Sequence, residues 1–208
     1  MIATSPRRAR IALAIAIFTA ILAVAACDAF LGLGDDKVRA ACQQAAQGEV
    51  VEAVNFNAPS QVVIAGHARA VERACTEAKA LGAKRAVLLA VSAPFHSSLL
   101  RPASNKLRER LARVTLATPQ VPIVNNIDVA IEKEPDRIRD ALARQASGPV
   151  RWVETITRLA QDGITHVVEC GPGRALSGMT ARIAPSLVNL NINDPASLQD
   201  ALAKLDAS

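Results

Sequence analysis

The chain has 208 residues, enough for one good-sized domain or two small ones with real cores, and a modest net charge of +5. Half of its residues are apolar, yet four are Phe, one is Trp and none is Tyr, so the core has to be built from Ala, Val, Leu and Ile. The scarcity of stacking rings, with Lys and Arg dispersed among acids, argues against a nucleic-acid reader. The four cysteines form no C-x-x-C pair and no His stands at zinc-finger spacing, so no metal site is expected.

Arg7, Arg8 and Arg10 precede an uncharged apolar run over residues 11–26, the layout of a secretory signal and too short for a comfortable membrane span. Val24-Ala25-Ala26-Cys27 also matches the pattern at which bacterial lipoproteins are cleaved and acylated. The alternative is a mis-started reading frame, so residues 1–28 are set apart as a signal-like or mis-started apolar segment. Cys42 and Cys75 fall on apolar faces of predicted helices, usage that suits a reducing, cytoplasmic compartment. An exported lipoprotein anchored at Cys27 is the alternative.

Residues 29–92 form the first folded block. A short strand over 29–33 leads to a helix over 35–47, capped by Asp35, with Val38, Cys42 and Ala45 on one face and Gly48 as its stop. Strands follow over 49–56 and 61–65 around a turn at 57–60. A helix over 68–81 then turns Val71, Cys75 and Ala78 inward, and an apolar strand covers 86–91. The order β-α-β-β-α-β is that of a ferredoxin-like subdomain.

In residues 93–208 helices alternate with buried strands: a helix over 99–113, a strand over 121–125, and helices over 135–145 and 150–161. A strand over 166–169 closed by Gly171-Pro172-Gly173, a helix over 175–183, a strand over 187–190 and a last helix over 196–205 follow. Such alternation predicts a parallel sheet covered by helices.

There are three histidines. His67, between a strand and a helix, reads as structural. His166 opens a strand, where an exposed or edge position is the default. His96 lies in Ser92-Ala93-Pro94-Phe95-His96-Ser97-Ser98, a loop leaving the carboxyl end of an apolar strand, where α/β proteins place functional groups.

The run Val54-Asn55-Phe56-Asn57-Ala58-Pro59-Ser60-Gln61-Val62-Val63-Ile64-Ala65-Gly66-His67 resembles a hallmark of bacterial malonyl-CoA:acyl-carrier-protein transacylases. So do Gly82-Ala83-Lys84-Arg85, the His96 loop, Val121-Pro122-Ile123-Val124-Asn125-Asn126 and Glu169-Cys170-Gly171-Pro172-Gly173, in the family's order and spacing. The resemblance runs from about residue 31 to the C-terminus and implies that residues 93–208 are the C-terminal part of an α/β-hydrolase-like acyltransferase domain. It implies a ping-pong transfer of malonyl from coenzyme A, through a serine ester, to the phosphopantetheine thiol of acyl carrier protein in fatty-acid biosynthesis, with no other cofactor. By the same resemblance His96 is the general base and Gln145, of Arg144-Gln145, orients its ring through a backbone carbonyl. Lys84 and Arg85 match a pair implicated in carrier-protein docking; without the family they read equally well as a solvated charge pair.

The sequence departs from that pattern in one decisive respect. No G-x-S-x-G stands anywhere in it, so the strained elbow that presents a serine nucleophile is not encoded here, nor is the family's early G-Q-G-S-Q loop. Ser97, Ser98 and Ser177 occupy no strand–turn–helix elbow, and Cys170, the one tempting substitute, reads as a small core residue at a strand end. The expectation is a truncated family member, inactive alone. A lipid-anchored or non-catalytic binding module, and a subunit completed by a separate serine-bearing chain, stand as alternatives.

Overall fold

The computed structural model describes residues 11–14, 27–89 and 93–207. In chain order the elements are β1 (Ile11–Ala14), β2 (Cys27–Leu31), α1 (Asp35–Ala46), β3 (Val51–Ala58), β4 (Gln61–Gly66), α2 (Ala68–Ala80) and β5 (Arg85–Leu89). A 3-10 turn at Ser98–Leu100 leads into α3 (Arg101–Leu111), followed by β6 (Val124–Asn125), β7 (Ala130–Ile131), α4 (Pro135–Gln145) and α5 (Trp152–Gln161). The chain then forms β8 (His166–Cys170), α6 (Ala175–Ile183), β9 (Val188–Ile192) and α7 (Pro195–Asp206). The described residues gather into two compact units, one within Ala20–Thr155 and the other joining β1 to the chain from Ile156 onward.

The first unit is built on a four-stranded sheet in the order β3-β4-β2-β5, every neighbouring pair antiparallel. Period-2 alternation sorts β4 between two faces. Val62 and Ile64 join Phe30, Phe56 and the buried residues of α1 and α2 in one core, while Val63 and Ala65 join Val54 in another. A strand buried on both faces needs a continuous apolar run, and Val62-Val63-Ile64-Ala65 supplies it. Val38, Cys42 and Ala45 of α1 and Val71 and Ala78 of α2 point into the first core as their helical spacing demands, with Cys75 half-buried against it. The outer edge of β3 is closed by residue 150: the Phe56 amide donates to the Val150 carbonyl at 2.9 Å, and the Val150 amide donates to the Val54 carbonyl at 2.8 Å.

The second unit carries a parallel sheet in the order β1-β8-β9, with α6 and α7 packed on β9. Part of the apolar run at residues 11–26 is therefore a strand, Ile11–Ala14, in register with His166–Glu169; residues 15–26 lie outside the described residues. No helix among the described residues is long and apolar enough to cross a membrane.

Several sequence expectations need correction. Asp35 is the first residue of α1, not its cap; Gly34 holds the cap position without a side-chain bond, and the acids Asp35 and Asp36 sit in the first turn, where they face the positive end of the helix dipole. The strand expected over 29–33 is β2, Cys27–Leu31, because Gly32 at φ +80° ends it. The strand expected over 121–125 shrinks to Val124–Asn125, paired in a small hairpin with Ala130–Ile131. Val121 and Ile123 are 65% and 60% exposed: their alternation matched a strand, but neither side chain meets a core. His166 is buried at 7% exposure in the middle strand of its sheet, not at an edge, beside the Thr165 hydroxyl at 2.9 Å. Cys170 is exposed and no core residue, because β8 ends there and the chain leaves the sheet through Gly171 at φ +143°.

Candidate active site

His96 sits beyond the end of β5, in a tight turn held by its own backbone. The Phe95 amide donates to the Ala93 carbonyl, the Ser97 amide and hydroxyl both donate to the Pro94 carbonyl, and Leu100 closes onto Ser97. His96 itself has φ +65°, in the left-handed region that side chains other than Gly seldom occupy. The turn places Nδ1 of the half-buried imidazole 2.9 Å from the backbone carbonyl of Gln145. A carbonyl only accepts, so Nδ1 carries the proton and Nε2 presents its lone pair. Among the described residues Nε2 has no hydrogen-bond partner.

The acceptor is available because Gln145 is the last residue of α4. The following amides turn back to Ala143 and Arg144, leaving the Gln145 carbonyl without a helical donor. Its side chain closes the helix end, with Nε2 donating to the carbonyls of Gly148 and Pro149 at 3.2 and 3.3 Å. Gly148 is required for that closure: a Cβ there would lie 2.3 Å from Ile127 Cδ1 and 2.9 Å from the Arg144 carbonyl. The buried Ser104 hydroxyl donates to the Ala143 carbonyl at 2.6 Å and ties α3 to the same turn. Arg144 grips Asp128 bidentately at 2.7 and 2.6 Å and reaches Asp140 at 2.6 Å. The Arg144 guanidinium holds the Asp128 carboxyl below the usual carboxylate range, and Arg108, then Arg144, do the same for Asp140.

The structure thus brings His96 and Gln145 together across 49 residues of sequence. Lys84 and Arg85 do not join them. Both are exposed at the start of β5, the end of the strand opposite the one from which the chain goes on to the His96 loop. The Lys84 stem lies over Gly32, where a Cβ would come within 2.7 Å of its Cγ. His67 is structural, its Nδ1 accepting from the Val50 amide at 2.9 Å.

None of the three serines considered as nucleophiles has an idle hydroxyl. Ser97 Oγ donates to the Pro94 carbonyl, Ser98 Oγ to Glu52 Oε1 and Ser177 Oγ to Glu169 Oε2. Glu169 also accepts the Leu176 and Ser177 amides, capping α6 with a buried carboxylate. Glu52 was not singled out from the sequence; the only signal was a charge inside the apolar run Val50-Val51-Glu52-Ala53-Val54.

Comparison with known proteins places this geometry in context. The acyl transferase domain family matches residues 14–182. The malonyl CoA-acyl carrier protein transacylase of Salmonella typhimurium is 48% identical over 176 residues, which cover 85% of this chain and 57% of the relative. That of Bacillus subtilis is 38% identical over 159 residues, covering 76% of this chain and 50% of the relative. Among solved structures, the acyl-carrier-protein S-malonyltransferase of Burkholderia pseudomallei superimposes with a TM-score of 0.84 at 58% identity, covering 88% of this chain and 60% of that one. A malonyl-transacylase solved in complex with a type II polyketide-synthase acyl-carrier protein gives a TM-score of 0.86 at 46% identity, with coverages of 88% and 60%. The chain belongs to the acyl transferase domain family, and it spans little more than half the length of the malonyl-CoA:acyl-carrier-protein transacylases it matches.

Proposed function

We propose that these residues are the base-bearing part of a malonyl-CoA:acyl-carrier-protein transacylase acting in cytoplasmic fatty-acid synthesis. The observation that carries this reading is the 2.9 Å contact between His96 Nδ1 and the Gln145 carbonyl. A ring fixed in that tautomer takes a proton at Nε2 while keeping its Nδ1 bond. In the first half-reaction a serine hydroxyl attacks the malonyl thioester carbonyl, its proton passes to His96 Nε2, and coenzyme A leaves as the thiol with that proton. In the second, the phosphopantetheine thiol of acyl carrier protein attacks the serine ester, and His96 relays its proton to the serine oxygen. The reaction asks for no metal and no cofactor beyond the two thioester partners. Exposed Lys84 and Arg85 suit contact with an acidic carrier protein. The order β3-β4-β2-β5, with two helices supplying one core, supports reading that sheet as a ferredoxin-like subdomain. The parallel strands with their helices suit the α/β-hydrolase-like part.

No G-x-S-x-G stands in these 208 residues, so on labelled malonyl-CoA they should form no covalent malonyl ester by themselves. The decisive experiment grafts residues 30–208 in place of the corresponding part of the Salmonella relative. The chimera should load holo acyl carrier protein, and His96→Ala in it should lower kcat by about 10²–10⁴-fold with little change in KM for malonyl-CoA. A His96→Ala chimera as active as its parent would sink the assignment.

A further inference from the structure

We propose that Glu52 is a positioning residue for the base: its carboxylate fixes Ser98 to β3 and so holds His96 in the backbone conformation from which Nδ1 reaches Gln145. The inference rests on the reading of His96 as the base.

Glu52 is half-buried, and both of its oxygens are taken by one residue. Oε2 accepts the Ser98 amide at 2.7 Å and Oε1 accepts the Ser98 hydroxyl at 2.7 Å. Bonds to an ionised acceptor are roughly twice as strong as neutral ones, and two to one residue fix orientation as well as distance. What they oppose is the backbone of His96 at φ +65°, a strained conformation that persists only where its surroundings over-determine it.

The other bonds of the loop cannot supply that constraint. Those from Ser97 to Pro94, Phe95 to Ala93 and Leu100 to Ser97 all close within the loop. They give it a shape, and its place is set by what holds its far end: α3, into which it runs, and Glu52. Apart from the Leu100 and Arg101 amides, which donate to the Ser97 and Ser98 carbonyls where the chain runs into α3, the hydrogen bonds joining residues 93–98 to other elements of their unit, among the described residues, are the pair to Glu52 and the one to Gln145. The second is the contact to be explained, so the first is the anchor that acts beside α3, which Ser104 ties to Ala143.

The other half of the pair is anchored on the same strand. Val150, five residues past Gln145, is hydrogen-bonded to Val54 and Phe56 of β3. Base loop and acceptor loop are thus pinned to β3 at position 52 and at positions 54 and 56, on the same strand. β3 is paired to β4 on both sides of the register shift between Ala53 and Asn55, so the strand holds the two loops in a fixed relation. A carboxylate suits position 52 because Ser98 offers two donors and needs two acceptors.

The test reads the His96 tautomer by ¹⁵N NMR of the full chain, in which three histidines give three ring systems. Wild type should show His96 protonated on Nδ1, with its two ring nitrogens well separated in shift. In Glu52→Val, which keeps strand propensity, and in Ser98→Pro, which removes the bonded N–H and hydroxyl together, that separation should fall by at least half. Glu52→Gln, whose amide can accept from the Ser98 N–H and donate to its hydroxyl, should restore it. His67 is the internal control: its Nδ1 accepts from Val50, two residues before Glu52, so its opposite tautomer should persist in every variant with β3 intact. Folded Glu52→Val and Ser98→Pro with an unchanged His96 tautomer would overturn the proposal, and Ser98→Pro alone decides if Glu52→Val does not fold. Absence of the Nδ1-protonated ring in wild type would instead defeat the base reading.

Discussion

Residue identity does not by itself decide reactivity in this chain; burial and neighbours do. Cys42 lies on the buried face of α1, and burial, reinforced by the Glu52 charge and opposed by Arg39, pushes its thiol up to about 12. Cys170 stands exposed at the end of β8. The thiolate is the nucleophile, and a shift from the ordinary value of 9.0 to about 12 leaves roughly 10³-fold less of it at a given pH. Brief iodoacetamide treatment of the native chain at pH 8 should therefore alkylate Cys170 and leave Cys42 unmodified until denaturant is added, as read by peptide mass spectrometry. Equal native labelling would contradict the packing of α1. His96 was legible as a candidate because few histidines compete and its loop follows an apolar strand. Glu52 was not, because its partner Ser98 lies 46 residues away and no local spacing encodes that meeting.

At the scale of elements, α4 is organised by Arg144. It joins the turn at Asp128 to Asp140 of its own helix, which Arg108 of α3 also holds. Hydrogen bonds from Arg144 to Asp128, and from Arg108 and then Arg144 to Asp140, lower both carboxyls. A carboxyl depressed in the folded state contributes stability that is present above its unfolded value, near 3.9, and lost as pH falls through the folded value. Thermal midpoints should thus hold level from pH 7 to about 5 and fall below about 4. An Asp128→Asn/Asp140→Asn variant should start lower at pH 7 and lose less on acidification. Both side chains are more than a third exposed, at 34% and 43%, so each pair is worth about 1 kcal/mol or less. A variant with the same acid slope as wild type would show that other carboxylates govern it. The long helices were readable from 3.6-residue periodicity. Val124–Asn125 was over-read because two alternating apolar residues, Val121 and Ile123, suit a strand but have no core to enter.

Across the whole molecule, stability should follow burial and not hydrophobicity as such. Phe30 is fully buried on β2, between β4 and β5, and belongs to the core that collects α1 and α2. Phe30→Ala should destabilise its unit by about 3–5 kcal/mol. Val121→Ala, at a side chain 65% exposed, should change stability by no more than about 0.5 kcal/mol. Denaturant melts of the two variants check the contrast; comparable losses would mean that the segment around Val121 is packed in solution.

The sequence by itself determined the helices α1, α2 and α4, the apolar strand β4, the family to which the chain belongs, and His96 and Gln145 as residues to watch. Those features rest on periodicity and on ungapped motif blocks, both local properties of the chain. Only the tertiary structure decided that His166 is central in its sheet and Cys170 exposed, that the Gln145 carbonyl stands 2.9 Å from the His96 ring, and that one strand anchors both. Side-chain meetings between residues far apart in the chain depend on how strands order and pin their loops, and the nearest neighbours in sequence carry no record of that.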